Sequence, residues 1–104
     1  MKHLLKETAT KENDRQAKSI ALGRLLVTPG IIEKVSQIEL LDALARHRTH
    51  DWGKVGPEDW AANDRAARHS GRILSTFDTE CGTRFWIITE ADRHVTTALL
   101  PIEY

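Results

Sequence analysis

Residues 72–104, RILSTFDTECGTRFWIITEADRHVTTALLPIEY, carry the pattern that decides the fold. Three runs rich in β-branched, aliphatic and aromatic residues predict β-strands over 72–79, 84–90 and 94–100. Gly82 lies in the first connection, where a hairpin turn needs a residue that accepts positive φ. Pro101 follows the third run and ends it, because proline cannot donate to a strand ladder. The stretch therefore predicts an antiparallel meander of three strands, with the most apolar run in the middle.

The residues before the meander predict one more strand and two to three helices. The aliphatic run at 24–27 predicts the strand. Pro29 and Pro57 suit the first position of a helix, and Ser36 with a glutamate three residues later forms a capping box. The helices are expected over 29–35, 36–48 and 57–70, with Gly71 ending the last of them. The fold class is therefore α+β: a single domain over 19–104, with a three- to four-stranded sheet and the helices on one face.

The second predicted helix has an apolar face. Four residues recur at helical spacing and are expected to face the sheet: Ile38, Leu41, Leu44 and Ala45. The same spacing places Asp42, Arg46 and His47 largely elsewhere. Basic residues in the last turn suit the helix dipole.

Composition excludes several classes of protein. The 104 residues include 15 basic and 15 acidic side chains, so the formal net charge is zero and a nucleic-acid binder is disfavoured. The single cysteine, Cys81, excludes an intramolecular disulfide and a Cys-rich zinc site, and is typical of a reducing cytoplasm. No apolar run reaches the length of a signal peptide or a membrane span. Residues 1–18 are polar and charged and are expected to form a flexible tail. The expected compartment is the cytoplasm.

Three polar clusters are candidates for chemistry. His50-Asp51 in a loop offers an acid–base pair, and the TEADRH run at 89–94 joins carboxylates, an arginine and a histidine. The third cluster lies on the last predicted helix, where His69 could act as a general base, and consists of Asn63, Asp64, Arg65, Arg68 and His69. If the protein is an enzyme, the candidate catalytic residues are His50, Asp51, His69, Arg84, Glu90, Asp92 and Arg93. Each cluster also has a structural interpretation: helix exit, solvated charge pairs, or turn chemistry. No metal signature, nucleotide-binding loop or other cofactor motif is present, so neither a metal nor a cofactor is predicted.

Three tryptophans in a chain of this length indicate either a bulky core or an exposed partner surface. The candidate binding residues are Trp52, Trp60, Glu90, Asp92, Arg93 and His94.

Three stretches resemble a group of small uncharacterised bacterial proteins of plasmids and integrative elements. These stretches are HDWG at 50–53, GPEDWAANDRAARHSGRILS at 56–75 and FWIITEADRHVTTALLPIEY at 85–104. The resemblance covers roughly residues 20–104, and this chain departs from it at Ile102, where an acidic residue is usual. It implies a mobile-element setting and transfers no catalytic residues.

Members of that group are labelled "plasmid-related" or "type I restriction endonuclease subunit M". The second label does not fit this chain, which has neither an S-adenosylmethionine-binding βαβ unit nor an N-P-P-Y-type motif.

The expected function is that of a small non-enzymatic accessory protein of a mobile element, acting by protein–protein interaction and modulating a host defence system. The alternatives are a small nuclease or toxin-like hydrolase that uses the candidate catalytic residues, and a nucleic-acid-binding regulator. A protein partner is expected and a membrane is not.

Overall fold

The computed structural model describes residues 19–104, and the tail expected over residues 1–18 lies outside the described residues. From the N-terminus the elements are β1 (Arg24–Val27), α1 (Pro29–Lys34), α2 (Gln37–Arg48), α3 (Pro57–Arg68), β2 (Ile73–Asp78), β3 (Arg84–Thr89), β4 (Val95–Leu99) and a 3₁₀ helix (Pro101–Glu103). The α+β fold class is confirmed, and each predicted element is present within one or two residues of its expected ends.

The four strands form one mixed sheet in the order β1-β4-β3-β2. β2, β3 and β4 pair antiparallel, as the meander pattern predicts, and β1 joins the sheet parallel to β4. A parallel partner needs a long crossover connection. Here that crossover contains all three helices and the first two strands of the meander. The N-terminal strand is therefore the edge strand next to the last strand of the chain.

Local side-chain caps explain where the first two helices begin. The hydroxyl of Thr28 accepts a hydrogen bond from the backbone N–H of Ile31, and that of Ser36 accepts one from Glu39 at 3.1 Å. Each cap satisfies a donor that has no partner within its own helix. Pro29 and Pro57 occupy first-turn positions of α1 and α3. The helix starts predicted from sequence are therefore set locally.

The main core lies between α1, α2 and one face of the sheet, which we call the inner face. Phe77, Phe85 and Ile87 project from the inner face and are almost completely buried. Side chains of α1 and α2 pack against them: Ile31, Val35, Ala43 and Leu44. The apolar run at 85–88 predicts that Trp86 and Ile88 pack against the helices, but the structure places both on the other side of the sheet, which we call the outer face.

The predicted core face of α2 was rotated from the true one. Ile38 is 80% exposed and Leu41 is 57% exposed, whereas Leu44 is buried as expected. His47, which was expected to lie elsewhere, is completely buried. A count of apolar residues favoured the wrong arc because the inward arc of α2 includes this histidine, whose ring nitrogens both have hydrogen-bond partners.

The outer edge of β2 is occupied by other parts of the chain, and we call it the blocked edge. The side-chain amide of Asn63 on α3 donates to the carbonyl of Leu74 at 2.9 Å and accepts from its N–H at 3.4 Å. The backbone of Trp52 accepts from Thr76 N–H at 3.1 Å, and Lys54 N–H donates to Thr76 O at 2.7 Å. Backbone groups that would otherwise be open to another strand are thus satisfied.

Gly53 lies at the centre of this blocked edge. Its φ is +72°, and a Cβ placed there would collide with the carbonyl oxygen of Thr76. We expect Gly53→Ala to lower the free energy of unfolding by about 2 kcal/mol or more, because the substitution adds backbone strain and displaces the bridge to β2. Gly56 has an ordinary φ of −70° and open space at its Cβ position, so it is the matched control. Gly56→Ala is expected to cost less than about 1 kcal/mol, and urea titrations followed by circular dichroism measure both. Equal losses would contradict the steric account.

Candidate functional site

A buried chain of hydrogen bonds runs through the inner face of the sheet. His47 Nδ1 lies 2.5 Å from Ser75 Oγ, and its Nε2 lies 2.8 Å from Thr89 Oγ1. Thr89 Oγ1 is in turn 2.8 Å from Thr96 Oγ1, which donates to the carbonyl of Leu22 at 2.7 Å. His47, Ser75, Thr89 and Thr96 are each 0% exposed. We call this set the His47 network; it ties α2 to three strands and to the residues just before β1.

The network determines which nitrogen of His47 carries the proton. Because the carbonyl of Leu22 can only accept, Thr96 uses its single proton there and must accept from Thr89. Thr89 therefore donates to Thr96 and accepts from His47 Nε2–H. Nδ1 is left without a proton and accepts from the hydroxyl of Ser75.

A serine hydroxyl donating to a neutral imidazole is the arrangement of a nucleophile and its general base. Burial, together with the nearby charges of Arg93 and His50, lowers the pKa of His47 from 6.5 to about 4. The imidazole is therefore neutral at pH 7 and able to accept a proton. Ser75, however, is 0% exposed, so no substrate carbonyl can reach its Oγ in this structure. The network consequently acts as a structural tie.

The His50-Asp51-Trp52 loop forms the exit from α2. Asp51 accepts from Arg46 Nε at 2.8 Å and from Gly53 N–H at 3.1 Å, and the bond from Arg46 lowers the pKa of the Asp51 carboxyl. His50 has a φ of +71° and stacks on Trp52 with ring centroids 5.3 Å apart. The carboxylate is thus engaged by Arg46 and by its own loop, so Asp51 and His50 do not form the acid–base pair that their adjacency suggested.

Trp52 is completely buried, and its Nε1–H donates to Asp64 Oδ1 on α3 at 2.9 Å. It forms a second core cluster with Ile20 and Ile73, against which the half-buried Trp60 packs. Trp52 therefore offers no indole surface to a partner, and Trp60 offers part of one.

The TEADRH turn is engaged in hydrogen bonds to nearby backbone. Arg93 has a φ of +63°, and its guanidinium donates to the carbonyls of Ala66 (2.7 Å), Gly71 (2.6 Å) and Glu90 (3.1 Å). It thereby caps carbonyls at the C-terminal end of α3. Asp92 accepts from the N–H of His94 at 2.9 Å, as expected of turn chemistry.

Their closeness in sequence predicts that Arg93 pairs with Glu90, but the carboxylate of Glu90 pairs with Arg72, at 3.3 Å. Arg93 instead uses the Glu90 carbonyl. The turn is therefore held by its own residues and by the end of α3.

The remaining enzyme candidates do not join this turn in a common cleft. Arg84 pairs with Asp78 at 2.8 Å at the start of β3, and an extended strand separates it from Glu90 by about 20 Å. His69 is exposed at the end of α3. The candidate catalytic residues thus lie at several separate places on the molecule.

No cluster of metal ligands is found in the described part of the chain, and two small depressions lie on its surface. Residues 19–104 contain no group of three or more His, Cys, Asp or Glu side chains placed to hold a metal ion. A depression of about 300 Å³ lies beside Asn63 and Leu74, and a smaller groove of about 220 Å³ lies between β1, α1 and α2. These volumes are at or below the lower end of the range for small-molecule sites.

The smaller groove is apolar and is flanked by exposed aliphatic side chains. It is lined by Val27, Ile31, Ile32, Val35, Gln37 and Leu40. Ile32 is 72% exposed, and Leu41 lies one helical turn beyond Gln37 on the same side of α2. Ile38 precedes Leu41 by three residues, so the two are neighbours on the helix surface. We call Ile32, Ile38 and Leu41 the α1–α2 apolar surface.

Sequence reasoning missed this surface because it assigned Ile38 and Leu41 to the core. One signal was available: Leu40 and Leu44 on the same helix already define an apolar stripe, and adding Ile38 and Leu41 makes the apolar arc wider than a single core face needs.

No helix among residues 19–104 is long and apolar enough to cross a membrane. No family model, curated protein or solved structure matches this chain. Its function is therefore inferred from its own residues and their geometry.

Proposed function

We propose that the protein is a small non-enzymatic accessory protein that acts by binding another protein through the α1–α2 apolar surface. The setting we propose is the mobile element implied by the sequence resemblance, and the role we propose for the contact is to modulate a host defence system. The observation that carries the binding proposal is the exposure of three large aliphatic side chains, of which Ile32 lines the apolar groove and Leu41 and Ile38 lie on α2, whose residues Gln37 and Leu40 also line it.

Exposing large aliphatic side chains to water is unfavourable in free energy, and a bound partner that covers them removes this cost. A single exposed leucine is ordinary on a protein surface, but a group of large aliphatic side chains around a groove is typical of an interaction site. Ile32, Ile38 and Leu41 are 72%, 80% and 57% exposed. Burying such side chains contributes about 1.5–3 kcal/mol each. Their burial would offset part of the free-energy cost of association with a partner.

The hydrolase alternative has less support. Its candidate residues are separated, and most of them already have structural partners: Asp51 with Arg46, Glu90 with Arg72, and Arg93 with backbone carbonyls. A nuclease assay on plasmid DNA and RNA with Mg²⁺ or Mn²⁺ separates the two proposals. Cleavage that disappears in Asp92→Ala would favour the hydrolase.

The nucleic-acid alternative is also weakened by charge pairing. Arg46, Arg72 and Arg84 each pair with a carboxylate, which neutralises charges that would otherwise attract phosphates. Gel-shift titrations at low ionic strength test it directly, because electrostatic binding is strongest there. Salt-sensitive binding under those conditions would favour a regulator.

The binding proposal is tested by affinity capture from a bacterial lysate, in which the wild type is compared with a variant that carries added charges on the α1–α2 apolar surface. Ile38→Glu with Leu41→Glu places two carboxylates on the apolar surface, and we expect the double variant to lose a protein that the wild type retains. A second double variant, Ala61→Glu with Arg68→Gln, makes the same change in net charge on the exposed side of α3. This matched control is expected to retain the captured protein.

Two further measurements make the comparison decisive. Circular dichroism checks that both double variants fold like the wild type, and the captured protein, once identified by mass spectrometry, is purified and titrated against all three. Equal affinities for the wild type and the Ile38/Leu41 variant would contradict the proposal.

A further inference from the structure

The two edges of the sheet differ in a way that points to a second interface. At the blocked edge, Asn63 and the 52–54 segment occupy the backbone groups of β2. At the other edge, no strand or loop within residues 19–104 pairs with the outer side of β1. The side chains of β1 are also exposed and apolar: Leu25, Leu26 and Val27 are 42%, 39% and 38% exposed. An edge of this composition is a template for another strand.

The hydrogen bonds of β1 show which of its backbone groups are open. Arg24 N–H donates to His94 O at 2.8 Å, and Thr28 N–H donates to Ala98 O at 3.2 Å. Backbone groups alternate along a strand, so residues 24, 26 and 28 point inward to β4. Leu25 and Val27 therefore direct their N–H and C=O groups away from the sheet.

We propose that β1 pairs antiparallel with β1 of a second copy of this chain, which joins two sheets into one of eight strands. A two-fold axis perpendicular to the sheet keeps the inner faces of both copies on the same side. The open groups then match when Leu25 lies opposite Val27 of the second copy, and the reverse. This register makes four backbone hydrogen bonds and places the two Leu26 side chains together on the outer face.

Neighbouring residues exclude the adjacent registers. Sliding the strands by two residues in one direction places Leu25 opposite Pro29, which has no N–H to donate. Sliding them in the other direction places Val27 opposite Gly23, whose φ of +65° takes its backbone out of the extended conformation. One register remains in which both open residues of each strand are paired.

Charges favour a second copy of this chain as the occupant. In the proposed register, Arg24 lies opposite Thr28 of the second copy. The Thr28 hydroxyl donates to the carboxylate of Glu103 at 2.6 Å, so an acidic group lies beside that position. Arg24 and Glu103 can therefore meet across the interface, and the two-fold axis makes the pair occur twice. The apolar pairs are likewise self-complementary.

This interface goes beyond the proposed function: it shares Val27 with the lining of the apolar groove, but it uses none of Ile32, Ile38 and Leu41. The test is analytical ultracentrifugation of the full chain over a concentration series. We expect wild type to approach twice the 11.8 kDa mass of one chain as concentration rises. A wild-type chain that stays at the monomer mass at every concentration would overturn the proposal. This holds whether β1 is covered by a segment of the same chain or by nothing.

Four single substitutions test the interface, two that disrupt it and a conservative control for each. Leu25→Pro removes an outward N–H while leaving the inward ladder to β4 intact, and is expected to raise the dimer dissociation constant at least about tenfold. Leu25→Val keeps the N–H, and we expect a change of less than about fivefold. Arg24→Glu sets two carboxylates together and is expected to weaken the dimer by about tenfold or more. Arg24→Lys keeps the charge and should stay within about threefold of wild type.

If Leu25→Pro does not fold, Arg24→Glu and its control Arg24→Lys still test the interface. A dimer that survives both Arg24→Glu and a folded Leu25→Pro would overturn the proposal, as would a dimer lost only in the Ile38/Leu41 double variant. The capture experiment tests the α1–α2 apolar surface, and the mass of the purified chain tests the β1 interface. A negative result in one experiment does not decide the other, so the two proposals can fail independently.

Discussion

Trp52→Ala is expected to lower the free energy of unfolding by about 4 kcal/mol. The side chain is 0% exposed, and its Nε1–H donates to Asp64 across to α3. Removing the indole opens a cavity between α3 and β2 and leaves that carboxylate without its donor. A domain of this size is stabilised by about 5–15 kcal/mol in total, so a large part of the stability depends on one side chain. Urea unfolding followed by circular dichroism measures the loss.

Trp60→Ala is the matched control, since it removes the same side chain from a half-buried position against the same cluster. We expect its cost to be less than half that of Trp52→Ala. Trp52→Phe keeps most of the apolar bulk and loses the hydrogen bond, so an intermediate loss is expected. Equal costs for Trp52→Ala and Trp60→Ala would show that α3 is not anchored by Trp52.

The protein is expected to lose stability in mild acid because of His47. Burial, with the charges of Arg93 and His50, lowers the pKa of His47 from 6.5 to about 4 in the folded state. Between these values the unfolded chain binds the proton and the folded chain does not, so falling pH favours unfolding. The difference between 6.5 and about 4, at about 1.4 kcal/mol per pKa unit, corresponds to about 3 kcal/mol. The contribution is fully present above about pH 6.5 and is lost progressively toward pH 4.

Urea titrations from pH 4 to pH 7.5 measure this loss as the slope of unfolding free energy against pH. His47→Gln can still bond Ser75 and Thr89 but cannot titrate, so most of the slope above pH 4 should disappear. His94→Gln makes the same change at an exposed position and should keep it. Identical slopes for wild type and His47→Gln would show that His47 is not the titrating group.

The strands and helix starts could be predicted because their signals are local. Pro29, Ser36 and Pro57 act within one turn of their own helices, and the alternation around Phe77 and Phe85 is set by the pleat of each strand. The apolar composition of β1 likewise predicted a strand that joins the sheet, whereas its parallel pairing with β4 was seen only in the structure. These features need no knowledge of distant residues.

The roles of the polar residues depend on distant partners and could not be read from spacing. His47 became a core residue because Ser75 and Thr89, 28 and 42 positions away, satisfy its two nitrogens. Arg93 became a helix cap because α3 ends beside it. Sequence adjacency suggested chemistry within HDW and within TEADRH, whereas Trp52 and Arg93 bond to α3, which their spacing does not reveal.

The blocked edge of β2 also limits how far the sheet can grow. Each copy presents a single β1 edge, because Asn63 and the Trp52–Lys54 backbone occupy the opposite one. Within residues 19–104, the proposed pairing through β1 therefore uses the open sheet edge of both copies, and a third chain finds no open edge there to extend. In the language of polymer chemistry the chain is monofunctional, which means that it has one reactive end. Association through strand edges is then expected to stop at the dimer and not to continue into fibrils. Gly53→Ala, by loosening the blocked edge, would create the second reactive end that filament growth requires.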